Sequence, residues 1–291
     1  MRALVTGGVG FVGTNLIKRL LNDGHEVISF DNYSTGFREN EQEGCKYLLC
    51  DVSHQPYFKD KKMDDVINGV DVIFHLAALA RIQPSINNPT ETIVNNFNST
   101  LNILECARKY EIPVIYAGSS SKHHGLYGSP YAWSKYGGEE LCKLYSEVYD
   151  LNTTVCRFYN VYGPHHIRSG TYATVIGIFE NQYMNKKPLT IVGDGKQRRD
   201  FTHIDDIVDG LIRCVGKNYR GEVFELGTGK NYSINEVAKI FDCDTEYIPP
   251  RPGEYDVTLC DYSKAKEKLG YEPKENLEEY ITNWLEDNKC E

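Results

Sequence analysis

Short runs of β-branched residues alternate with longer segments of helical apolar spacing through the first half of this chain. The runs are Ala3–Thr6, Glu26–Phe30, Val72–His75, Val114–Tyr116 and Thr153–Cys156. A strand–helix–strand order implies a parallel sheet with helices on both faces, and strands buried on both faces read as unbroken apolar runs, as these do. The sequence therefore predicts an α/β fold with a doubly wound parallel sheet.

A glycine motif lies between the first predicted strand and the helix that follows it. It reads Thr6-Gly7-Gly8-Val9-Gly10-Phe11-Val12-Gly13. Gly7, Gly10 and Gly13 would let the chain turn sharply, approach a pyrophosphate closely and pack the helix on the strand, while the helix N-terminus supplies amide donors. Taken alone, the three glycines could also form a glycine-rich turn that binds no ligand. The surrounding sequence must therefore distinguish the two interpretations.

That context is a carboxylate at the end of the second predicted strand. Asp31 stands where a carboxylate accepts the ribose hydroxyls of a dinucleotide and would repel the extra phosphate of NADP. We therefore predict a Rossmann-type sheet with NAD as its cofactor. Ligands of such sheets lie beyond the strand ends, which adds further predicted cofactor contacts: Phe11, Val12, Asn32, Asp51, Val52, Leu76, Ala77 and Ala78. Tight packing of helix on sheet would explain Ala77 and Ala78 equally well.

The composition excludes several other classes of protein. The chain has 291 residues, of which 41% are hydrophobic and 25% charged, as in folded soluble proteins. Its 32 Lys and Arg against 41 Asp and Glu give a net charge of -9, and no basic cluster predicts a nucleic-acid partner. No apolar run approaches the roughly 20 residues of a membrane span. The nine scattered cysteines lack metal or redox spacing, so we expect reduced thiols, a cytoplasmic location and no metal site.

Tyr131 and Lys135 indicate general acid–base chemistry. Residues four apart share one face of a helix, so the Lys135 ammonium can approach the Tyr131 hydroxyl. A cation at about 4 Å, with an effective dielectric of about 20, favours phenolate by about 4 kcal/mol or roughly three pKa units, although burial opposes this. Among Ser119, Ser120 and Ser121, we predict that Ser120 hydrogen-bonds the substrate hydroxyl. Taken singly, the Tyr–Lys spacing arises by chance on many helices, and the serines could form an N-cap or a loop.

Further motifs are spread over nearly the whole chain: Asp51-Val52, His75–Ala78, Asn95, Arg157–Pro164, Gly193–Phe201 and Leu226–Gly229. Together with the glycine motif, Asp31 and the Tyr–Lys pair, they resemble the NAD-dependent sugar epimerase/dehydratase family of extended short-chain dehydrogenases/reductases. The resemblance implies that Tyr131 is the proton acceptor, Lys135 its electrostatic helper and a ribose ligand, and Ser120 the hydroxyl partner. It further implies that Asn95 and Asn160 line the cofactor and sugar pockets, and that Arg199 and Arg251 hold the diphosphate of a nucleotide sugar, with a UDP-sugar favoured.

Two departures from the family pattern bear on the reaction. Lys122-His123-His124-Gly125 stands where the family usually has Val-Tyr-Gly, and only ten residues separate Ser120 from Tyr131. We expect His123 and His124 to be polar loop residues, with substrate contact as the alternative. The dehydratase branch has an Asp-Glu pair where this chain has Ser121 and Lys122, and elimination needs such an acid and base. The sequence therefore predicts a nucleotide-sugar epimerase that inverts C4 through a transient 4-keto sugar with tightly bound NAD. A 4,6-dehydratase or a reductase is the alternative, and a non-catalytic NAD-binding sensor a remote one.

Breaks rich in glycine and proline follow residue 162 and predict a smaller α+β substrate lobe at the C-terminal side. They are Gly163-Pro164, Gly193–Gly195 and Pro249–Gly253. We predict an NAD-binding domain at 1–162 with return segments near 200–229, and a substrate-binding lobe at 163–199 and 230–291.

The resemblance also implies a homodimer in which two long helices of each subunit pair into a four-helix bundle. The candidate segments are 91–109 and 131–149, with apolar stripes at Ile93, Val94, Phe97, Leu101 and Leu104, and at Leu141, Leu144, Tyr145 and Val148. Packing within one subunit explains these stripes equally well.

Overall fold

A seven-stranded parallel sheet forms the centre of the protein in a computed structural model that describes residues 1–54, 66–253 and 255–288. Its strands are β1 (Arg2–Thr6), β2 (Glu26–Asp31), β3 (Cys45–Leu49), β4 (Val72–His75), β5 (Val114–Ser119), β6 (Thr153–Phe158) and β11 (Glu222–Leu226). The order across the sheet is 11-6-5-4-1-2-3, and every neighbouring pair is parallel. The predicted fold class is confirmed.

The direction of winding reverses between β1 and β4, which is where ligands bind in sheets of this type. Thr6, the last residue of β1, pairs with Phe30 on one side and with His75 on the other. The glycine motif, Asp31 and Leu76 therefore leave the sheet at the same edge. The third strand ends at Leu49, and Asp51 follows two residues later.

The helices of the described residues flank the sheet and build the second lobe. They are α1 (Phe11–Asn22), α2 (Ile82–Asn87), α3 (Pro89–Tyr110), α4 (Pro130–Tyr149), α5 (Val175–Met184), α6 (Ile204–Arg213), α7 (Ile234–Phe241), α8 (Ser263–Leu269) and α9 (Leu277–Asp287). Helices α3 and α4 match the two long predicted segments. Each begins with proline at its first position, where a missing N–H costs nothing, and the Ser129 hydroxyl caps α4 by accepting from Ala132 N at 3.1 Å.

Three apolar clusters make up the core. The first joins one face of the sheet to α1 and α6 through residues such as Val5, Leu16 and Leu211. The second joins the opposite face to α3 and α4 through residues such as Ile28, Ile103 and Cys142. Helices thus cover both faces, which is why the central strands are continuously apolar.

The third cluster belongs to residues from Tyr162 onward and includes Phe179, Ile191, Phe241 and Ile281. Short strand pairs surround it: β7 (Val161–Tyr162) with β10 (Thr202–His203), β8 (Leu189–Val192) with β13 (Thr245–Ile248), and β9 (Arg198–Asp200) with β12 (Asn231–Ser233). Because β11 pairs with β6, the chain returns to the central sheet after it has contributed to this cluster. The division into two domains at the stated boundaries stays a prediction.

The eight described cysteines are free thiols, and Cys290 lies outside the described residues. Over the same parts of the chain, none of the helices combines the length and the apolar character that crossing a membrane requires.

Candidate active site

The glycine motif forms a tight turn between β1 and α1. Gly7 has φ +75°, and a Cβ at that position would lie 2.9 Å from the backbone nitrogen of Ala77. A Cβ on Gly13 would overlap the carbonyl oxygen of Gly7. Gly10 stands at the N-cap of α1 and has no side chain with which to cap the first-turn amides. Such a helix N-terminus is suited to binding a phosphate group.

Thr6 holds the ends of β1 and β4 together beside this turn. Its Oγ1 accepts hydrogen bonds from Leu76 N at 3.2 Å and Ala77 N at 3.1 Å, and it pairs with Nδ1 of His75 at 2.8 Å. Burial lowers the pKa of His75 to about 3, so the ring is neutral when it shares this hydrogen bond with Thr6. The backbone of Leu76 and Ala77 is therefore fixed against the glycine turn.

The Asp31 carboxylate is fixed at the end of β2 by two backbone amides. Oδ2 accepts from Val9 N at 3.1 Å and Oδ1 accepts from Tyr33 N at 2.8 Å. Burial raises the pKa of Asp31, and the amide hydrogen bonds act in the opposite direction. A carboxylate oriented in this way can accept hydrogen bonds from ribose and disfavours a second phosphate there.

An open cleft at this edge of the sheet collects most of the predicted cofactor contacts. It is lined by Gly7, Gly10, Asp31, Asn32, Asp51, Val52, Leu76, Ala77, Ala78 and Asn95, among others. Phe11, Val12 and Gly13 form the first turn of α1 at the same edge. The arrangement fits NAD, since the glycine turn and helix N-terminus suit the pyrophosphate and Asp31 suits the ribose.

Tyr131 and the serines form a second group at the ends of β5 and α4. The amide of Tyr131 donates to Ser85 Oγ at 3.1 Å, which ties the start of α4 to α2. Hydrogen bonding with the Ser119 side chain acts to lower the pKa of the Tyr131 phenol. Ser119 closes β5, and its Oγ lies 2.9 Å from Ser121 Oγ. Ser120 is buried at the start of a short 3-10 helix, Ser120–His124, and its predicted contact with substrate stays a prediction.

Lys135 lies one turn after Tyr131 on α4, with its ammonium over the ring of Tyr116 at 4.2 Å from the centroid. Burial lowers the pKa of Lys135 to about 8. Burial also raises the pKa of Tyr131, an effect that the Ser119 hydrogen bond and the Arg81 guanidinium oppose and Glu139 reinforces. The sequence analysis expects Lys135 to lower the pKa of Tyr131 toward neutral pH. The structure instead gives a raised pKa, because the desolvation of Tyr131 outweighs the favourable interactions around it.

Sequence reasoning missed Arg81 and a buried ion network behind the serines. Arg81 follows the predicted Leu76–Ala78 segment closely, which was the available signal. In the network, Arg157 donates through Nε and Nη2 to Glu139, at 2.6 to 3.1 Å, and through Nη1 to Glu225 at 2.8 Å. Glu139 lies four residues after Lys135 and accepts from Ser119 N at 3.4 Å. The network therefore supports the strand end that carries the serine.

The two histidines of the short loop are packed against neighbours. His123 Nε2 lies 2.9 Å from Glu225 Oε1, and the ring of His124 stacks on Tyr255 with centroids 4.0 Å apart. The expectation of plain loop residues is thus incomplete, because both side chains join the serine turn to other elements. Burial lowers the pKa of His124, assisted by the positive charge of Arg199.

The predicted substrate residues lie on the C-terminal side of the same region. Asn160 Nδ2 donates to Asp200 O at 3.1 Å and to Thr258 Oγ1 at 3.2 Å. Arg199 is buried and donates through Nη1 to the carbonyl oxygen of Tyr255 at 2.7 Å. Arg251 is exposed. The roles predicted for these residues stay predictions.

Comparison with known proteins decides the family. A profile of the NAD dependent epimerase/dehydratase family matches residues 3–227. The chain belongs to this family. It is 32% identical over 315 residues to UDP-glucose 4-epimerase of Mycolicibacterium smegmatis, covering 98% of each chain.

Solved structures extend the similarity to the whole fold. UDP-glucose 4-epimerase of Thermotoga maritima, solved with UDP-glucose, superposes with a TM-score of 0.91 at 29% identity, over 100% of both chains. UDP-glucuronic acid 4-epimerase of Bacillus cereus, in complex with UDP-glucuronic acid and NAD, gives 0.87 at 27% identity, over 99% of both chains. NAD is the cofactor of the epimerase/dehydratase family, so the predicted cofactor is confirmed and the protein is an enzyme of this class.

Proposed function

We propose that the protein is a nucleotide-sugar epimerase that inverts C4 of a UDP-sugar through a transient 4-keto sugar. The observation that carries this proposal is that Tyr131 and Lys135 lie one turn apart at the start of α4, that Ser119 at the end of β5 acts to lower the pKa of the Tyr131 phenol, and that no carboxylate pair follows the serines in the sequence. An alcohol can be oxidised and reduced again at such a site, since one tyrosine exchanges one proton with the C4 oxygen.

Tyr131 takes the proton from the C4 hydroxyl in the first half of the reaction and returns a proton to the C4 oxygen in the second. The Ser119 hydroxyl stabilises the phenolate by hydrogen bonding, and Ser120 orients the C4 hydroxyl. NAD, which the glycine turn and Asp31 would hold, would supply the acceptor and donor of the C4 hydrogen with its electron pair. Because the same groups act in both halves, inversion needs only that the keto sugar turn over between them.

Elimination of water is disfavoured by the residues that follow the serines. Ser121 is buried and its Oγ contacts Ser119 Oγ, while the Lys122 ammonium lies over the ring of Tyr136 at 4.8 Å. A serine without an activating base is a poor proton acceptor, and one lysine does not replace a carboxylate pair. This supports the epimerase over the 4,6-dehydratase.

The substrate proposal rests on a diphosphate site and on the relatives. Arg199 and Arg251 would bind the diphosphate, for which a guanidinium is suited by its planar, bidentate geometry. Asn160 would line the sugar pocket. The relatives named above are UDP-glucose and UDP-glucuronic acid 4-epimerases, which favours uridine as the nucleoside and leaves the C5 substituent to experiment.

A homodimer and a cytoplasmic location complete the proposal. Leu104 and Tyr145 of the predicted stripes pack in the subunit's own core, whereas Val94, Leu144 and Val148 are 43%, 49% and 60% exposed on α3 and α4. Exposed apolar residues on two adjacent long helices support pairing with a second copy. The free thiols of the described cysteines support a reducing compartment.

Incubation with UDP-sugars, followed by NMR and mass spectrometry, tests the function. We expect a product of unchanged mass with inverted configuration at C4 and no consumption of added NAD. Tyr131→Phe should reduce turnover by about 10² or more, since it removes a positioned acid–base group. Tyr127→Phe is the matched control, because Tyr127 is 92% exposed. A product lighter by one water would instead identify a dehydratase, and full activity of Tyr131→Phe would remove the assigned base.

A further inference from the structure

His124 stacks on Tyr255 and so joins the end of the serine turn to the chain that follows β13. The two ring centroids are 4.0 Å apart and the ring planes are inclined by 20°. His124 is the last residue of the 3-10 helix Ser120–His124, whereas Tyr255 lies beyond the end of β13 at Ile248. The acid–base chemistry of Tyr131 does not require this stack, so its role is a separate question.

Tyr255 supplies a backbone acceptor to Arg199. Arg199 Nη1 donates to the carbonyl oxygen of Tyr255 at 2.7 Å and to that of Arg198 at 2.9 Å, and the guanidinium carbon lies 5.8 Å from the centroid of the Tyr255 ring. The backbone beside them is also paired, since Arg198 N donates to Asp256 O at 2.8 Å and Thr258 N donates to Arg198 O at 3.0 Å. A shift of Tyr255 would therefore displace an acceptor of the Arg199 guanidinium.

The chain shortly before Tyr255 is docked on helix α2. Gln83 Nε2 donates to the carbonyl oxygen of Pro252, and a Cβ on Gly253 would lie 2.9 Å from Ile82 Cγ2. Gln83 and Ile82 both belong to the first turn of α2. Residues 252 and 253 are thus held by α2, and the His124 ring adds an aromatic contact at Tyr255.

The His124 ring is neutral at pH 7. Burial lowers the pKa of His124 below its ordinary value of 6.5, and the positive charge of Arg199 acts in the same direction. A neutral ring brings no charge of its own to a bound diphosphate. Its contribution is therefore the packing of its face against Tyr255, since offset or parallel aromatic pairs stabilise a contact beyond the area that they bury.

We propose that His124 is a positioning residue for nucleotide binding: its ring holds Tyr255, and Tyr255 holds the Arg199 guanidinium where it meets the diphosphate. The inference rests on the proposed function, in which Arg199 binds the diphosphate of a UDP-sugar. His124 then acts on the affinity for the nucleotide and leaves the chemistry at C4 to Tyr131.

Calorimetric titration of the NAD-loaded protein with UDP measures this affinity without turnover. Loss of one aromatic pair in His124→Ala should raise the Kd for UDP about three- to tenfold. His124→Phe keeps a flat ring without ring nitrogens, so its Kd should return to within about twofold of the wild type. Tyr127→Ala is the matched control, because Tyr127 belongs to the same loop and is 92% exposed. Its Kd should equal that of the wild type.

A double-mutant cycle tests whether Tyr255 transmits the effect. Tyr255→Leu should raise the Kd for UDP by at least the same factor, because leucine keeps the carbonyl oxygen but loses the ring. His124→Ala added to Tyr255→Leu should raise the Kd little further, because both substitutions remove the same stack.

Steady-state kinetics provide a second readout. In His124→Ala the KM for UDP-glucose should rise by the factor seen for UDP, while kcat stays within about twofold of the wild type. A general loss of order at the site would lower kcat as well. Circular dichroism and the content of bound NAD check the folding of each variant.

An unchanged Kd for UDP in folded His124→Ala, or in Tyr255→Leu if the former does not fold, overturns the inference and leaves the proposed function intact. A His124→Phe protein as weak as His124→Ala also overturns it, because the ring nitrogens would then be what the nucleotide needs. The expected changes in UDP affinity in a protein without epimerase activity would support the inference and overturn the proposed function. A wild type that binds no UDP would overturn both.

Discussion

Replacing Lys135 with methionine should stabilise the folded protein while it removes activity. Lys135 is 4% exposed, and burial lowers its pKa from the ordinary 10.5 to about 8. At pH 7 Lys135 is therefore charged in both states, but its ammonium is buried in the folded protein and hydrated in the unfolded chain. Folding thus carries a desolvation cost at this residue. Methionine has a similar length and no charge, so the substitution removes this cost without leaving a large cavity.

The magnitude follows from the lowered pKa. The fall in the pKa of Lys135 from 10.5 to about 8 corresponds to a cost of about 3 kcal/mol in the free energy of folding, since one pKa unit is about 1.4 kcal/mol. The lost contact between the ammonium and the Tyr116 ring offsets about 0.5 to 2 kcal/mol of this. We therefore expect a net gain of about 1 to 2 kcal/mol in the free energy of unfolding at pH 7.

The pH dependence has a definite sign. Between about pH 8 and 10.5 the folded protein binds fewer protons at this site than the unfolded chain, so the stability of the wild type rises with pH in that window. The advantage of Lys135→Met should therefore be largest at pH 7 and should shrink by pH 10. Urea unfolding of cofactor-stripped protein, followed by circular dichroism at both pH values, measures it. Stripping is needed because bound NAD would add its own stabilisation.

Lys143→Met is the matched control, because Lys143 lies exposed on the same helix. It should change the free energy of unfolding by less than about 0.5 kcal/mol at either pH. A Lys135→Met protein less stable than the wild type at pH 7, or an advantage that does not shrink by pH 10, would refute the reasoning that burial of this charge costs stability.

Three further predictions concern other parts of the molecule. Arg157→Met should reduce the free energy of unfolding by about 3 to 5 kcal/mol, because it leaves the carboxylates of Glu139 and Glu225 without their guanidinium partner. Urea unfolding measures this change, and a loss below about 1 kcal/mol would contradict the prediction. The wild type should bind NAD more tightly than NADP in calorimetric titration. Asp31→Ser should shift the ratio of the two affinities toward NADP by about tenfold, because it removes the charge that repels the extra phosphate. Equal affinities in the wild type would count against the role of Asp31. Leu144→Glu should convert the proposed homodimer to monomer in sedimentation velocity, and a wild type that is already monomeric at micromolar concentration would remove the dimer from the account.

The sheet and the cofactor cleft could be predicted because their signals are local in sequence. Unbroken apolar runs marked β1, β2, β4, β5 and β6, since strands buried on both faces leave no room for alternation. Gly7 and Gly13 can be identified from the sequence because the turn between β1 and α1 leaves no room for a Cβ at either position, so both must be glycine. Asp31 was identifiable because a carboxylate directly after a strand lies at the ligand edge of such a sheet.

The reaction centre was less predictable because its details depend on side-chain directions. Three consecutive serines do not reveal which hydroxyl reaches Tyr131, and the structure brings Ser119 to it. Helical spacing predicts that Lys135 lies on the same face of α4 as Tyr131. It does not predict that the ammonium lies over the ring of Tyr116. The Tyr131 amide meets Ser85 Oγ through the packing of α2 on α4, a contact between residues 46 apart in the chain. Only the folded arrangement decides such contacts.

The central claim is oxidation and reduction at one carbon of one sugar, and a deuterium label at C4 of the UDP-sugar tests it most directly. The account predicts that the C4 epimer formed by the enzyme retains the deuterium at C4, because the hydrogen removed from that carbon is returned to it. Deuterium found at C6, as a dehydratase would give, or C4 inversion with complete loss of the label to solvent would contradict the account.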